Sequence, residues 1–145
     1  MKNLIIYILI IPVAFAYTAS GSTLVLKTYS SIESNYLDEN DVSTINMLFV
    51  QGLNSHIKNI QTSSVSCESK SCALEQLSKT QNTQVVYSQL QKLGAKIIFS
   101  AVILDSNSSF ESRATAMNVE DMEQVCLRLS KSIALRESVE EVADI

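Results

Sequence analysis

The sequence predicts an α/β fold: one sandwich domain on a mixed sheet, in two or three layers, with elements in the order β-α-β-α-β-β-β-α. Three observations carry this. The segment Ile97 to Leu104 is almost wholly apolar, as a strand buried on both faces must be, and is expected at the centre of the sheet. Apolar residues recur three and four apart from Val42 to Ile57 and from Val119 to Ile133, which is the spacing of a helix face. Pro12 is the only proline and the chain holds 3 glycines in 145 residues, so neither Pro-rich linkers nor a loop-heavy fold is indicated.

The elements follow in chain order. Met1-Lys2-Asn3, an apolar run from Leu4 to Val13 and the close Ala14-Phe15-Ala16 read as a secretory signal peptide cut after Ala16. The run falls short of the roughly 20 residues a membrane span needs. An uncleaved N-terminal anchor is the rival reading, because Tyr17 and Ala19 add some length. The remainder is one domain in size: residues 17–22 as a loose start, 23–136 as the α/β domain and 137–145 as an acidic, fraying tail. Val139 and Val142 in that tail can continue the preceding helix face.

Thr23 to Tyr29 is β-branched and apolar, hence a strand. Asp38 to Asp41 offers N-caps for an amphipathic helix over 41–56, with Val42, Ile45, Leu48, Phe49 and Leu53 on one face. Gly52 weakens it slightly. Asn59 to Val65 alternates and reads as an edge strand. Ser69 or Ser71 caps a second helix over 71–81, whose apolar stripe is narrow. Strands follow over 83–90, 97–104 and 110–116, separated by the turn signals Lys92-Leu93-Gly94-Ala95 and Asp105-Ser106-Asn107-Ser108. They form an antiparallel meander. Asn118 caps the last helix, with Asp121 completing a variant capping box. Val119, Met122, Val125, Cys126, Leu129, Ile133 and Leu135 make its apolar face.

Composition excludes several function classes. The net charge is −4, and loss of Lys2 with the leader leaves the rest more acidic still. Without a basic patch, nucleic acid and anionic membrane surfaces are poor partners. The 3 cysteines are Cys67, Cys72 and Cys126. In an oxidising compartment, Cys67 and Cys72 suit a bridge closing a small loop ahead of the second helix. Cys126 then stands alone on an apolar face, as a buried, inert thiol.

No catalytic constellation is visible. His56 is the only histidine, and no nucleophile or orienting acid is singled out beside it. One His and three Cys do not supply a zinc spacing. Cys67-x-x-x-x-Cys72 is not the redox spacing Cys-x-x-Cys. The acidic cluster Glu33, Asp38, Glu39, Asp41 lacks the glycine of a calcium loop, and the glycines are too scattered to cradle phosphate. No cofactor, metal or small-molecule substrate is therefore expected. A hydrolase would need His56, or a carboxylate pair such as Asp105 and Glu111, to meet in a cleft.

Residues 67 to 135 carry a family pattern. Cys72-Ala73-Leu74-Glu75-Gln76-Leu77-Ser78-Lys79, Val85-Val86-Tyr87, Lys92-Leu93-Gly94, the apolar strand ending in Leu104-Asp105, a polar turn, a strand and a long helix follow one another. This order resembles bacterial envelope domains of the TolB N-terminal-like class, whose relatives include the curli export protein CsgG and the penicillin-binding-protein activator LpoB. A Cys shortly before the Cys-Ala pair recurs in that class, as Cys67 does here. Members often carry glycine where this chain has Asn82 and Ser88. No β-propeller follows and no long membrane-inserting hairpins are present, so the resemblance implies neither a TolB nor a pore. It implies a small α/β adaptor domain that binds other envelope proteins, periplasmic or outer-membrane associated, and it transfers no catalytic residue. A subunit of an envelope assembly or secretion complex, including a homo-oligomer, is the alternative.

Overall fold

The computed structural model describes residues 21–143. The leader, residues 1–16, lies outside the described residues, as do residues 17–20 and 144–145. The elements are β1 (Thr23–Val25), β2 (Tyr29–Ser30), α1 (Glu39–Asn54), β3 (Ile60–Thr62), α2 (Lys70–Ser78), β4 (Gln84–Leu93), β5 (Lys96–Leu104), β6 (Ser109–Ala116), a 3-10 turn (Val119–Asp121), α3 (Met122–Leu135) and α4 (Val139–Ala143).

Local chemistry starts each helix. Asp38 caps α1: the Asp41 N–H donates to Asp38 Oδ1 at 2.9 Å, and the Asp38 N–H donates to Asp41 Oδ2 at 3.2 Å. That is a reciprocal capping box built from two aspartates. Ser69, one of the two candidate serines, caps α2 by accepting from the Cys72 N–H at 3.2 Å. Asn118 accepts from the Asp121 N–H at 3.2 Å, but the turn it caps is 3-10 in form, and the α-helix proper begins at Met122.

The sheet has six strands in the order β3-β1-β4-β5-β6, with β2 continuing alongside β4. β1 pairs in parallel with β3 and β4, and the β4–β5–β6 meander is antiparallel. The sheet is therefore mixed, within a single α/β domain. β5, expected at the centre, is interior but second from the edge; β4 holds the central place. α1 carries the chain from β1 out to β3, and α2 carries it back over β1 to β4. Crossovers in opposite directions share one hand only if their helices lie on opposite faces. They do: α1 packs in one cluster and α2 in the other.

The larger face is covered by α1 and α3. Ile45, Phe49 and Leu53 of α1 and Val125, Cys126, Leu129 and Ile133 of α3 pack on Val86, Leu90, Ile97, Phe99, Ala101 and Ile103. The Phe49 and Phe99 rings meet edge to face, 5.2 Å between centroids. Gly52 has a specific role at the helix crossing. A Cβ there would stand 2.7 Å from the Ser130 Cβ, so only glycine lets α1 and α3 approach this closely. The smaller face holds Leu24, Leu26, Val85, Tyr87, Val102 and Leu104 beneath Cys67 and Ala73.

Three expectations are corrected. The first strand is split. Val25 stands opposite Val86 and Tyr29 opposite Gln89, so four steps on one chain meet three on the other. This is a one-residue bulge. Within it the Lys27 N–H donates to Val65 O at 2.9 Å, and the Thr28 N–H to Asn46 Oδ1 of α1 at 3.0 Å. The acidic segment after α3 also differs from expectation. Arg136 takes a left-handed conformation (φ 55°), the Glu137 N–H donates to Ser132 O at 3.0 Å, and α4 follows with Val142 buried. Finally, Val119 and Leu135 are exposed rather than on the buried face of α3. Val119 belongs to the tighter 3-10 turn, whose three-residue period puts it out of phase.

Candidate functional site

Cys67 and Cys72 are joined in a disulfide, with their Cα atoms 5.6 Å apart. The bridge ties the loop before α2 to the first turn of that helix. Cys67 is buried against the smaller face. Cys126 is free and fully buried, with its thiol directed at Ile45 O, 3.7 Å away. Burial, with the Glu123 charge second, pushes that thiol up to about 12. A group this reluctant to ionise is a poor nucleophile.

The other sequence candidates do not converge. His56 is exposed in the connection from α1 to β3. Asp105 closes β5, three strands away in the sheet order, or roughly 14 Å at the usual strand spacing. Asp105 is committed to its own turn. The Asn107 and Ser108 N–H groups each donate to its Oδ1 at 2.8 Å and hold the carboxyl below its ordinary value. Glu111 lies on the smaller-face side of β6, 3.8 Å from the Arg113 guanidinium. It adds to the burial that raises the Tyr87 hydroxyl. Among the described residues no group of three or more His, Cys, Asp or Glu is placed to hold a metal.

An open groove of about 540 Å³ lies where the bulge meets the start of α1. Lys27, Tyr29 and Ser34 line it opposite Asp38, Glu39 and Ser43. The Asp38 carboxylate stands at the start of that helix and already accepts from the Asp41 N–H, which disfavours an anion there. The lining has neither Cys nor His.

Two further exposed features are the edges of the sheet. β3, the predicted edge strand, is indeed outermost. The Thr23 N–H donates to Asn59 O and the Ser63 N–H to Val25 O, both 3.0 Å. Alternation then turns the N–H and C=O groups of Ile60 and Thr62 outward. At the opposite edge β6 is much longer. The hairpin pairs Asp105 with Ser108 through Asp105 N–H to Ser108 O, 3.0 Å. The same alternation directs the backbone groups of Phe110, Ser112, Ala114 and Ala116 to β5 and those of Ser109, Glu111, Arg113 and Thr115 outward. Beside this edge α4 leaves a groove of about 410 Å³. Sequence reading found the first edge and missed the second. A partial signal is the alternation from Phe110 to Ala116 at the end of the meander, but that the strand is an edge follows only from the sheet order.

No family model and no curated protein matches the chain. Among solved structures, the chain resembles the PelC dodecamer from Paraburkholderia phytofirmans at 12% identity, covering 81% of this chain and 88% of that one, with a TM-score of 0.52. A variant of that dodecamer in another space group gives 10% identity, the same coverages of 81% and 88%, and a TM-score of 0.49. A ribosomal subunit interface protein from Coxiella burnetii gives 8% identity over 83% of this chain and 99% of that one, with a TM-score of 0.44. The first likeness places the domain among mixed-sheet α/β folds.

Proposed function

We propose that this protein is an exported, non-enzymatic interaction domain of a bacterial cell envelope, working in the periplasm or at the outer membrane. The Cys67–Cys72 bridge is the observation that carries the reading. Such bonds persist in oxidising compartments and are rare in reducing ones. The N-terminal sequence supplies a matching export signal, cut after Ala16. The pattern from Cys67 to Leu135 supports a TolB N-terminal-like domain, a class of envelope adaptors.

Binding of an extended partner segment at β3 would use the outward groups of Ile60 and Thr62. A role as subunit of an envelope assembly is the second reading, favoured by the likeness to a protein described as a dodecamer. In-cell crosslinking of the exported protein, followed by mass spectrometry, tests the proposal. Recovery of one or two specific envelope proteins is expected, and their loss with Thr62→Pro places the contact at β3. That substitution removes an outward N–H without touching the bond to β1. Capture of cytosolic proteins alone, by a chain that keeps residues 1–16, would overturn it.

A further inference from the structure

The free edge of β6 is self-complementary. Among the described residues no hydrogen bond reaches the outward backbone groups of Ser109, Glu111, Arg113 or Thr115. The strand has no proline, and its two charges are of opposite sign, so a second copy of the same strand can neutralise them. Glu111 and Arg113 flank Ser112 on the same face of the strand, both exposed, and pair with each other at 3.8 Å.

We propose that β6 pairs antiparallel with β6 of a second copy of this chain, about a two-fold axis at Ser112. Two constraints select that register. Outward-facing residues must stand opposite outward-facing residues to exchange backbone hydrogen bonds. Centring on Ser112 satisfies this and sets Glu111 of each copy opposite Arg113 of the other. The neighbouring allowed registers fail on charge. Centring on Glu111 puts carboxylate against carboxylate, and centring on Arg113 puts guanidinium against guanidinium.

On the other face of the strand, the Ser112 register sets half-buried Phe110 against Ala114, a large residue against a small one. The ion pair within each strand is exchanged for two pairs between strands. The groove between β6 and α4, lined by Phe110 to Arg113 and by Ser138, Val139 and Glu140, leaves space beside the edge. The contact is isologous, so it closes as a dimer and joins the two sheets into one. It depends neither on the compartment nor on any envelope partner.

Sedimentation velocity of the purified protein over a concentration series tests the pairing by charge exchange. The wild type is expected to dimerise with rising concentration. Glu111→Arg and Arg113→Glu should each weaken self-association about tenfold, because each sets like charges opposite. The double variant should restore it. Mixing the two single variants should form a heterodimer, since the all-basic strand then meets the all-acidic one. Both side chains are exposed, and unchanged thermal melts will show that each variant folds. A wild type that stays monomeric throughout, single variants that dimerise like the wild type, or a mixture that does not associate would each overturn the proposal.

Discussion

The two faces of the sheet are held by different means. On one, α1 and α3 cover a continuous core that includes Phe49, Phe99, Leu129 and Ile133, all fully buried. On the other, the nine-residue α2 buries one residue of its own, Ala73, and its Leu74 is exposed. A helix that short, with so narrow a stripe, is marginal by itself. The Cys67–Cys72 bridge and the Ser69 cap supply what packing does not. Where apolar area is plentiful the fold relies on burial; where it is scarce the fold relies on a covalent tie.

The contrast is broken most severely on the larger face. Phe49→Ala should cost about 3–5 kcal/mol, from lost burial and the cavity left under α1. Denaturant titration should show the same loss with and without reductant. Gly52→Val tests the close approach of the two helices. It should cost about 1–3 kcal/mol, because Ser130 and its backbone must move. A neutral result would mean that the crossing is looser than described.

The smaller face should answer to redox instead. Cys72→Ala should cost about 2 kcal/mol in oxidising buffer, the constraint expected of so short a loop. In reductant the variant and the wild type should unfold together. Equal losses in both buffers would remove the distinction between the faces.

Asp105 belongs to neither face and sets the low end of the scale. Its carboxyl is depressed in the fold by the Asn107 and Ser108 N–H groups. The ionised form therefore adds stability above the ordinary carboxylate range, and this is lost as pH falls through the lowered value. The group is solvent-exposed, so the effect is small. Asp105→Asn should flatten the acid limb of the melting temperature against pH through a small loss above the ordinary carboxylate range, with almost no change at the acid end.

Most of this fold was legible from pattern. The meander strands, α1 and α3 were placed within a few residues, because each has a strong period and a clear cap or turn. Gly94 marked its hairpin: at φ +64° it is the first of two turn residues, where a tight hairpin requires glycine. The bulge after Val25 was not legible, because the groups that take up its N–H donors, Asn46 and Val65, lie on other segments. Nor was α4. Helices commonly end on a left-handed glycine, and here Arg136 takes that conformation, so the stop carried no sequence mark; the new start did, in Ser138-x-x-Glu141, where the Glu141 N–H donates to Ser138 Oγ at 3.3 Å. Gly52 was read as a weak point of a helix; its reason lies in Ser130, far away in sequence. At the candidate site the disulfide and the β3 edge were readable locally, whereas the β6 edge required knowing which strand comes last in the sheet.

The most direct test of a domain stapled on its weaker face, and of the export proposed for it, is thiol labelling of the native protein, taken from the envelope fraction without reductant. The folded protein should take no label, the unfolded protein should label at Cys126 alone, and all 3 cysteines should label only after unfolding and reduction. Three thiols reactive on unfolding without reductant, in a cytosolic protein that still carries residues 1–16, would contradict both the staple and the export.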